Sequence, residues 1–213
     1  MKSYVKVKSM ISIQGNIGSG KSTVVHNLQK DKSLICLQEP VDMWADYKSA
    51  DGRTILENFY EDRKKYAFPF QMMAFYTRLK NIKNHSKDTN NIIVMERSLE
   101  TDKRIFAQLL IDDGSIDQIS AKIYNEWFTD LTQDQDNIVN IYIRTPPEVC
   151  YKRIAIRNRP GEQHIPLEYL ERCHKLHDDW LLNSSAIVID GEKPVDTILE
   201  QIQSEIKSII SRN

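Results

Sequence analysis

Eight residues constrain this chain more than any others: Gly15-Asn16-Ile17-Gly18-Ser19-Gly20-Lys21-Ser22, set between the apolar run Met10–Gln14 and a helical pattern at Lys21–Gln29. They satisfy G-x-x-x-x-G-K-[ST]. The glycines let the backbone curl until successive N–H groups face an anion, and the following helix adds its positive end. Lys21 is placed to reach the β- and γ-phosphates of a bound nucleotide, and the Ser22 hydroxyl to ligate magnesium, with Thr23 completing the first turn. A Gly-rich turn that only starts a helix is the plain alternative. The strand before and helix after favour the phosphate loop.

Such a loop belongs at the first strand of an α/β sheet, and the rest of the chain reads accordingly. Leu34–Gln38, Ile92–Met95, Ile138–Ile143 and Ile187–Ile189 are further β-prone runs, nearly continuous in hydrophobicity, as parallel strands covered on both faces are. Helical spacing fills the intervals at Arg53–Tyr66, Phe68–Lys83, Thr101–Ile111, Ile116–Leu131, Pro146–Ile156, Leu167–Leu182 and Val195–Ile210. The alternation predicts right-handed crossovers and a three-layer α/β fold, a five-stranded parallel sheet flanked by helices. At 213 residues the chain is long enough for one domain, expected over 1–213, and short for two. Ligands of such sheets sit beyond the carboxyl ends of the strands, so residues directly after a strand carry most information.

A net charge of −1 argues against a general nucleic-acid binder, and no apolar run approaches the length of a membrane span. Cys36, Cys150 and Cys173 have neither metal-site nor framework spacing and read as reduced core or surface thiols. The basic start, MKSYVKVKSM, lacks a following apolar h-region, and the expected compartment is the cytoplasm.

After the second strand comes Glu39-Pro40-Val41 and then Trp44. A carboxylate there is as often a cap or solvated surface as a group that accepts a proton from an attacking hydroxyl. Glu96-Arg97 follow the third strand; Glu96 stands where an acid would touch magnesium or its water, and the planar fork of Arg97 suits two polar partners. Arg153 and Arg157 share a helix face, and Arg159 precedes the breakers Pro160-Gly161, which suggests a mobile anion clamp at about 153–164.

These pieces together resemble the deoxynucleoside kinase family, on the branch of deoxycytidine and deoxyguanosine kinases. The resemblance rests on the phosphate loop, EPVDMW from Glu39, FPFQMMAFYTRL from Phe68, ERSLETDKRIFA from Glu96, RIAIRNRPGEQHIPLEYLERCH from Arg153 and DDWLL from Asp178. It implies ATP with magnesium as donor and the 5′-hydroxyl of a deoxyribonucleoside as acceptor. Glu39 looks like the base for that hydroxyl with Arg97 beside it, and Tyr60 with Glu162 like the pair that holds the sugar 3′-hydroxyl. Gln71 resembles the side chain that reads the base edge; an amide offers one donor and one acceptor there. Trp44, Phe70 and Phe106 resemble the aromatic walls, Leu56 and Phe59 the apolar lining, and Ala74 the small residue that shapes the pocket. Arg153, Arg157 and Arg159 fall on the lid arginines. Arg78 and Asp102 match a charged pair that the resemblance ties to deoxycytidine and purine deoxynucleosides over thymidine. Ser98–Thr101 and Lys103-Arg104 differ locally from typical cellular members. A homodimer is implied.

Phe68 is expected in the core, and the group Cys173, His174, His177 and Asp178 on a solvated helix face. The tail, apolar at Val195, Ile198, Leu199, Ile202, Ile206 and Ile209–Ile210, reads as a core-facing amphipathic helix. Two rival functions share the phosphate loop. A GTPase-type switch requires an N-K-x-D motif, absent where it is needed. A nucleoside monophosphate kinase would set its acceptor phosphate against Glu39, and like charges repel.

Overall fold

The order in which the strands lie side by side decides where the loops of this protein meet. In the computed structural model, which describes residues 10–86, 91–133, 138–159, 162 and 165–212, five strands form one parallel sheet in the order β2-β3-β1-β4-β5. They are β1 (Met10–Gln14), β2 (Leu34–Leu37), β3 (Ile92–Glu96), β4 (Ile138–Arg144) and β5 (Ile187–Asp190). β1 lies between β3 and β4, with Ile13 opposite Glu96 and Gln14 opposite Tyr142. β1 and β3 are buried at every residue, as inner strands covered on both faces are, and the polar Ser12 and Gln14 of β1 are buried with the rest. The outer strands differ from expectation: β5 buries Ile189 alone and leaves Val188 exposed, because an edge strand has fewer neighbours to cover it.

Side chains alternate across the sheet. Ile11 and Ile13 point to α1 (Lys21–Leu28) and α10 (Val195–Arg212), in a cluster with Val24, Val25, Leu28, Ile198, Ile202, Ile206 and Ile209. Each fully buried isoleucine there contributes about 1.5–3 kcal/mol. α10 thus has the expected apolar face, although Val195 and Ile210 lie outside it and are exposed. Met10 and Met95 point to the opposite layer, where α4 (Arg63–His85) and α7 (Gln118–Thr132) pack through Phe75, Tyr124 and Phe128. The chain leaves β1 on one face and β3 on the other, which opens a crevice at their carboxyl ends.

Several boundaries depart from periodicity. The pattern at Arg53–Tyr66 divides into α3 (Ile55–Glu61) and the start of α4, because Thr54 and Glu57 form a reciprocal cap and Asp62 caps Lys65. α4 runs straight through Pro69; an interior proline costs about 3 kcal/mol, offset here by the buried face Ala67, Phe70, Met73, Ala74 and Phe75. A short α2 (Val41–Trp44) was not expected. α5 (Leu99–Thr101) passes without a break through a π-wound turn (Asp102–Ala107) into α6 (Gln108–Asp112), where one helix over Thr101–Ile111 was expected. Such wide turns occur mainly at functional sites. α8 (Pro147–Arg157) and α9 (Leu167–Leu181) pack on that turn around Ile105 and Leu109. The basic start before Met10 and the Pro160-Gly161 break lie outside the described residues.

Candidate active site

The phosphate loop takes its shape from steric necessity. Gly15 has φ 147°, and a Cβ there would meet Ser19 Oγ at 2.6 Å and the Ile143 carbonyl at 2.8 Å. Gly18, at φ 79°, would collide with the Cys150 carbonyl at 2.6 Å. Only glycine fits either position. Gly20 precedes α1 without a side-chain cap, so the first N–H groups of that helix remain available to an anion. Asn16 turns away: its Nδ2 donates to the Leu170 carbonyl at 2.8 Å, and its Oδ1 accepts from Ile17 N, which anchors the loop to α9. Lys21 is buried and donates to the Asn16 carbonyl at 2.7 Å. Burial, with Arg97 nearby, lowers its ammonium to about 7 against the pull of Glu96 and Glu39.

Around this loop the strand-end residues gather. The Ser22 hydroxyl donates to Glu96 Oε1 at 2.7 Å, so two hard oxygen ligands stand side by side, as a small divalent cation requires. Glu39 accepts from Arg97 Nη1 on both oxygens at 2.7 Å, and from Arg78 Nη2 at 2.9 Å. Burial would raise its pKa; Arg97, Arg78 and Lys21 overcome that and hold the carboxyl down at about 2. Arg78 also donates to Asp102 at 2.8 Å and to the Glu96 carbonyl at 2.6 Å. One guanidinium thus joins the ends of β2, β3 and the π-wound turn. Arg97 itself has φ 63°, a left-handed conformation uncommon outside glycine, and its guanidinium stacks 4.8 Å from the Phe106 ring centroid. Its backbone N–H donates to Ile13, next to the loop.

A cavity of about 380 Å³ runs from the loop past Glu39 into an aromatic pocket. Phe59 and Phe70 stack at 4.6 Å, and Trp44 meets Phe70 edge-on at 5.5 Å while its indole N–H donates to Thr77. Leu56, Tyr60, Ala74, Asp102 and Phe106 complete the lining. Gln71 lies there buried, and among the described residues its Oε1 has no partner. A buried amide oxygen without a partner carries a desolvation cost that a ligand donor would remove. Phe68 is partly buried beside two core clusters and lines nothing, as expected.

The arginine segment adopts a specific arrangement. Arg153 donates to the carbonyls of Ser19 and Gly191, at 3.4 and 3.1 Å, and so braces the loop. Arg157 and Arg159 both pair with the buried Glu162, at 2.6 and 3.2 Å. All three arginines, Glu162 and Tyr60 border the cavity. Burial, then Glu162, pushes the Tyr60 phenol well up.

Nearly every expected site residue therefore converges on one cavity, with two differences. Arg78 does not line it but lies behind Asp102 and Glu39. Gly15, Asn16 and Ser19 shape the loop without lining the cavity. Val41 and Tyr169 line it and were missed. Nothing in their spacing separates them from core residues; Tyr169 also carries the Arg63 guanidinium 5.2 Å from its ring. The expectation of a solvated face on α9 is corrected: Cys173 and His177 are fully buried. His177 stacks on Tyr142 at 5.9 Å and hydrogen-bonds the Cys173 carbonyl at 2.7 Å, because it lies on the inward apolar face of α9 with Leu170, Cys173 and Leu181.

The family model for deoxynucleoside kinases matches residues 11–212. The chain is 36% identical to a probable deoxycytidine kinase of fowlpox virus, over 84% of this chain and 74% of that one. It is 34% identical to deoxycytidine kinase of Mus musculus, over 81% and 75%, and 30% identical to mitochondrial thymidine kinase 2 of Homo sapiens, over 96% and 78%. The chain belongs to the deoxynucleoside kinase family and is an ATP-dependent nucleoside kinase.

Proposed function

We propose that the enzyme transfers the γ-phosphate of ATP to the 5′-hydroxyl of a deoxyribonucleoside, with deoxycytidine or a purine deoxynucleoside favoured over thymidine. The observation that carries this reading is the partly buried Glu39, held by Arg97 and Arg78 where the phosphate loop meets the aromatic pocket. The loop amides from Gly15 to Thr23, with Lys21, hold the donor phosphates, and Arg153, Arg157 and Arg159 act as the lid at about 153–164 of a single domain. Glu39 orients the hydroxyl and takes its proton as it attacks in line. Tyr60 and Glu162 hold the sugar; Gln71 reads the base edge between Trp44, Phe70 and Phe106, over Leu56, Phe59 and Ala74. Ser22 and Glu96 would hold magnesium, which supplies charge neutralisation at the phosphates.

The base preference rests on the floor of the pocket. Asp102 presents an acceptor, fixed by Arg78, to an exocyclic amine and leaves little room for a methyl group. Both guanidinium groups at the acceptor end are committed to carboxylates, which disfavours an acceptor that already carries phosphate. Phosphorylation of the four natural deoxynucleosides and their monophosphates, with ATP and magnesium, tests the reading. Turnover of deoxycytidine or purine deoxynucleosides with weak thymidine use is expected; turnover of monophosphates alone would overturn it.

The cytoplasm is the proposed compartment: all three cysteines are free thiols, and no helix of the described residues is long and apolar enough to cross a membrane. A homodimer is proposed through α7, whose exposed Ile119, Ile123, Trp127 and Leu131 recur every fourth residue. Sedimentation of the wild type as a dimer and of Trp127→Glu as a monomer is expected; a monomeric wild type would refute this.

A further inference from the structure

Gln14 is the one long polar side chain that β1 sends into the apolar layer containing Met10, Met95 and Leu99, and it is fully buried. A buried amide is tolerated only where its partners are present. Here they all are. Nε2 lies 2.9 Å from Ser12 Oγ, 3.0 Å from Ser98 Oγ and 3.1 Å from Asn140 Oδ1, while the Thr101 hydroxyl donates to Oε1 at 2.6 Å. Three of these partners lie far along the chain, and the two that precede and form α5 are not arbitrary ones. Ser98 and Thr101 are the reciprocal cap of α5, each accepting the other's backbone N–H. Gln14 is therefore bolted to the first turn of the helix that carries Asp102 and Phe106 into the cavity.

The position in sequence gives the contact its meaning. Gln14 directly precedes Gly15, the first residue of the phosphate loop. Ser98 directly follows Arg97, whose left-handed backbone persists only where its surroundings over-determine it. One side chain thus ties the base of the donor-binding loop to the arm that holds Glu39. Apolar packing alone would not set that spacing, since an interface of methyl groups accepts small slides that a set of directed hydrogen bonds does not.

We propose that Gln14 is a positioning residue, which holds Arg97, and through it Glu39, at a fixed distance from the phosphate loop. It touches no substrate and acts on the alignment of the two halves of the site. The proposal rests on the role given above to Arg97 and Glu39. Gln14→Met keeps the volume and leaves the Ser98–Thr101 cap intact, so the fold is retained. In that variant kcat is expected to fall about tenfold or more, because small misplacements of reacting groups are costly, while KM for the nucleoside changes less than about twofold.

Gln14→Glu is expected to restore most of the turnover. Every partner is a hydroxyl or an amide that can turn a donor toward a carboxylate. A merely structural role predicts lowered stability with kcat unchanged per folded molecule, and that result would overturn the proposal. So would a rise in KM with kcat retained, or failure of Gln14→Glu to rescue. If Gln14→Met does not fold, Asn140→Leu removes one of the same bonds with little change of size and without touching the Ser98–Thr101 cap, and it must lower kcat in the same sense. Arg97→Met serves as the control: if it keeps full turnover, the role of Arg97 fails; if it loses turnover while Gln14→Met keeps it, only the Gln14 proposal fails.

Discussion

A single nitrogen of Arg97, Nη1, lies 2.7 Å from each carboxylate oxygen of Glu39. With Arg78 on the first of those oxygens, the carboxylate is ionised, aimed and unable to rotate. A group so held is a poor base in the empty enzyme, since its pKa is about 2. It serves instead to orient a hydroxyl, and to accept its proton as phosphorus is attacked and the hydroxyl becomes acidic.

Glu39→Gln keeps the shape and removes the acceptor. Turnover is expected to fall about a hundred- to ten-thousandfold, with nucleoside affinity little changed. Steady-state kinetics together with nucleoside titration check this, and near-normal kcat would remove Glu39 from the chemistry.

Base preference should follow the Arg78–Asp102 pair. Arg78→Met with Asp102→Ala is expected to raise kcat/KM for thymidine relative to deoxycytidine by about tenfold or more, since the double change leaves neither buried charge alone. Competition assays with both nucleosides decide it; an unchanged order would refute the argument from the pocket floor.

Lys21 carries a proton-linked prediction. Its ammonium, lowered to about 7 by burial and Arg97, is partly neutral above that pH in the empty protein. Donor phosphates beside it favour the charged form, so binding takes up a proton at pH 8 and weakens as pH rises through 7. Calorimetry of an ATP analogue in buffers of different ionisation enthalpy measures the uptake. Equal heats in all buffers would contradict it.

His177 sets how the fold responds to acid. Burial holds its folded pKa at about 3, below the ordinary 6.5, so the unfolded chain binds the proton first. The contribution of His177 is complete above pH 6.5 and is lost as pH drops from 6.5 towards 3; Glu39, depressed from 4.5 to about 2, adds a loss in the same direction only below 4.5. His177→Phe keeps the stack on Tyr142 and should flatten the upper part of that slope. Urea unfolding at pH 7, 6 and 5 tests this; an unchanged slope would show that another group is responsible.

What the residues reveal by themselves is local. Gly15, Gly20, Lys21 and Ser22 identify the phosphate loop in one short segment, and the close approach of neighbouring backbone shows why position 15 takes glycine. The buried strands β1 and β3 were legible for a similar reason, since short runs with no charged residue before their ends are covered on both faces of a parallel sheet. The proline within α4 and the Asp62 break before it were not, because a long buried face outweighed a local penalty that spacing alone counts as decisive.

The tertiary structure decided everything that depends on which segments share neighbours. His177 belongs to the core because it shares the inward face of α9 with Leu170, Cys173 and Leu181 and stacks on Tyr142, and the spacing of the two histidines does not say which of them is inward. Arg78 was visible as a partner of Asp102, yet its reach to Glu39 and to the Glu96 carbonyl follows only from the strand order β2-β3-β1. In the sequence Gln14 is only the last residue of the run Met10–Gln14. Its four partners come from β1, β4 and α5, and hydrogen-bond geometry across such separations exists only once the sheet has closed around it. Sequence determined the chemistry available to this protein; packing determined which groups stand close enough to act on one another, because burial and Coulomb attraction depend on distance in space and not along the chain.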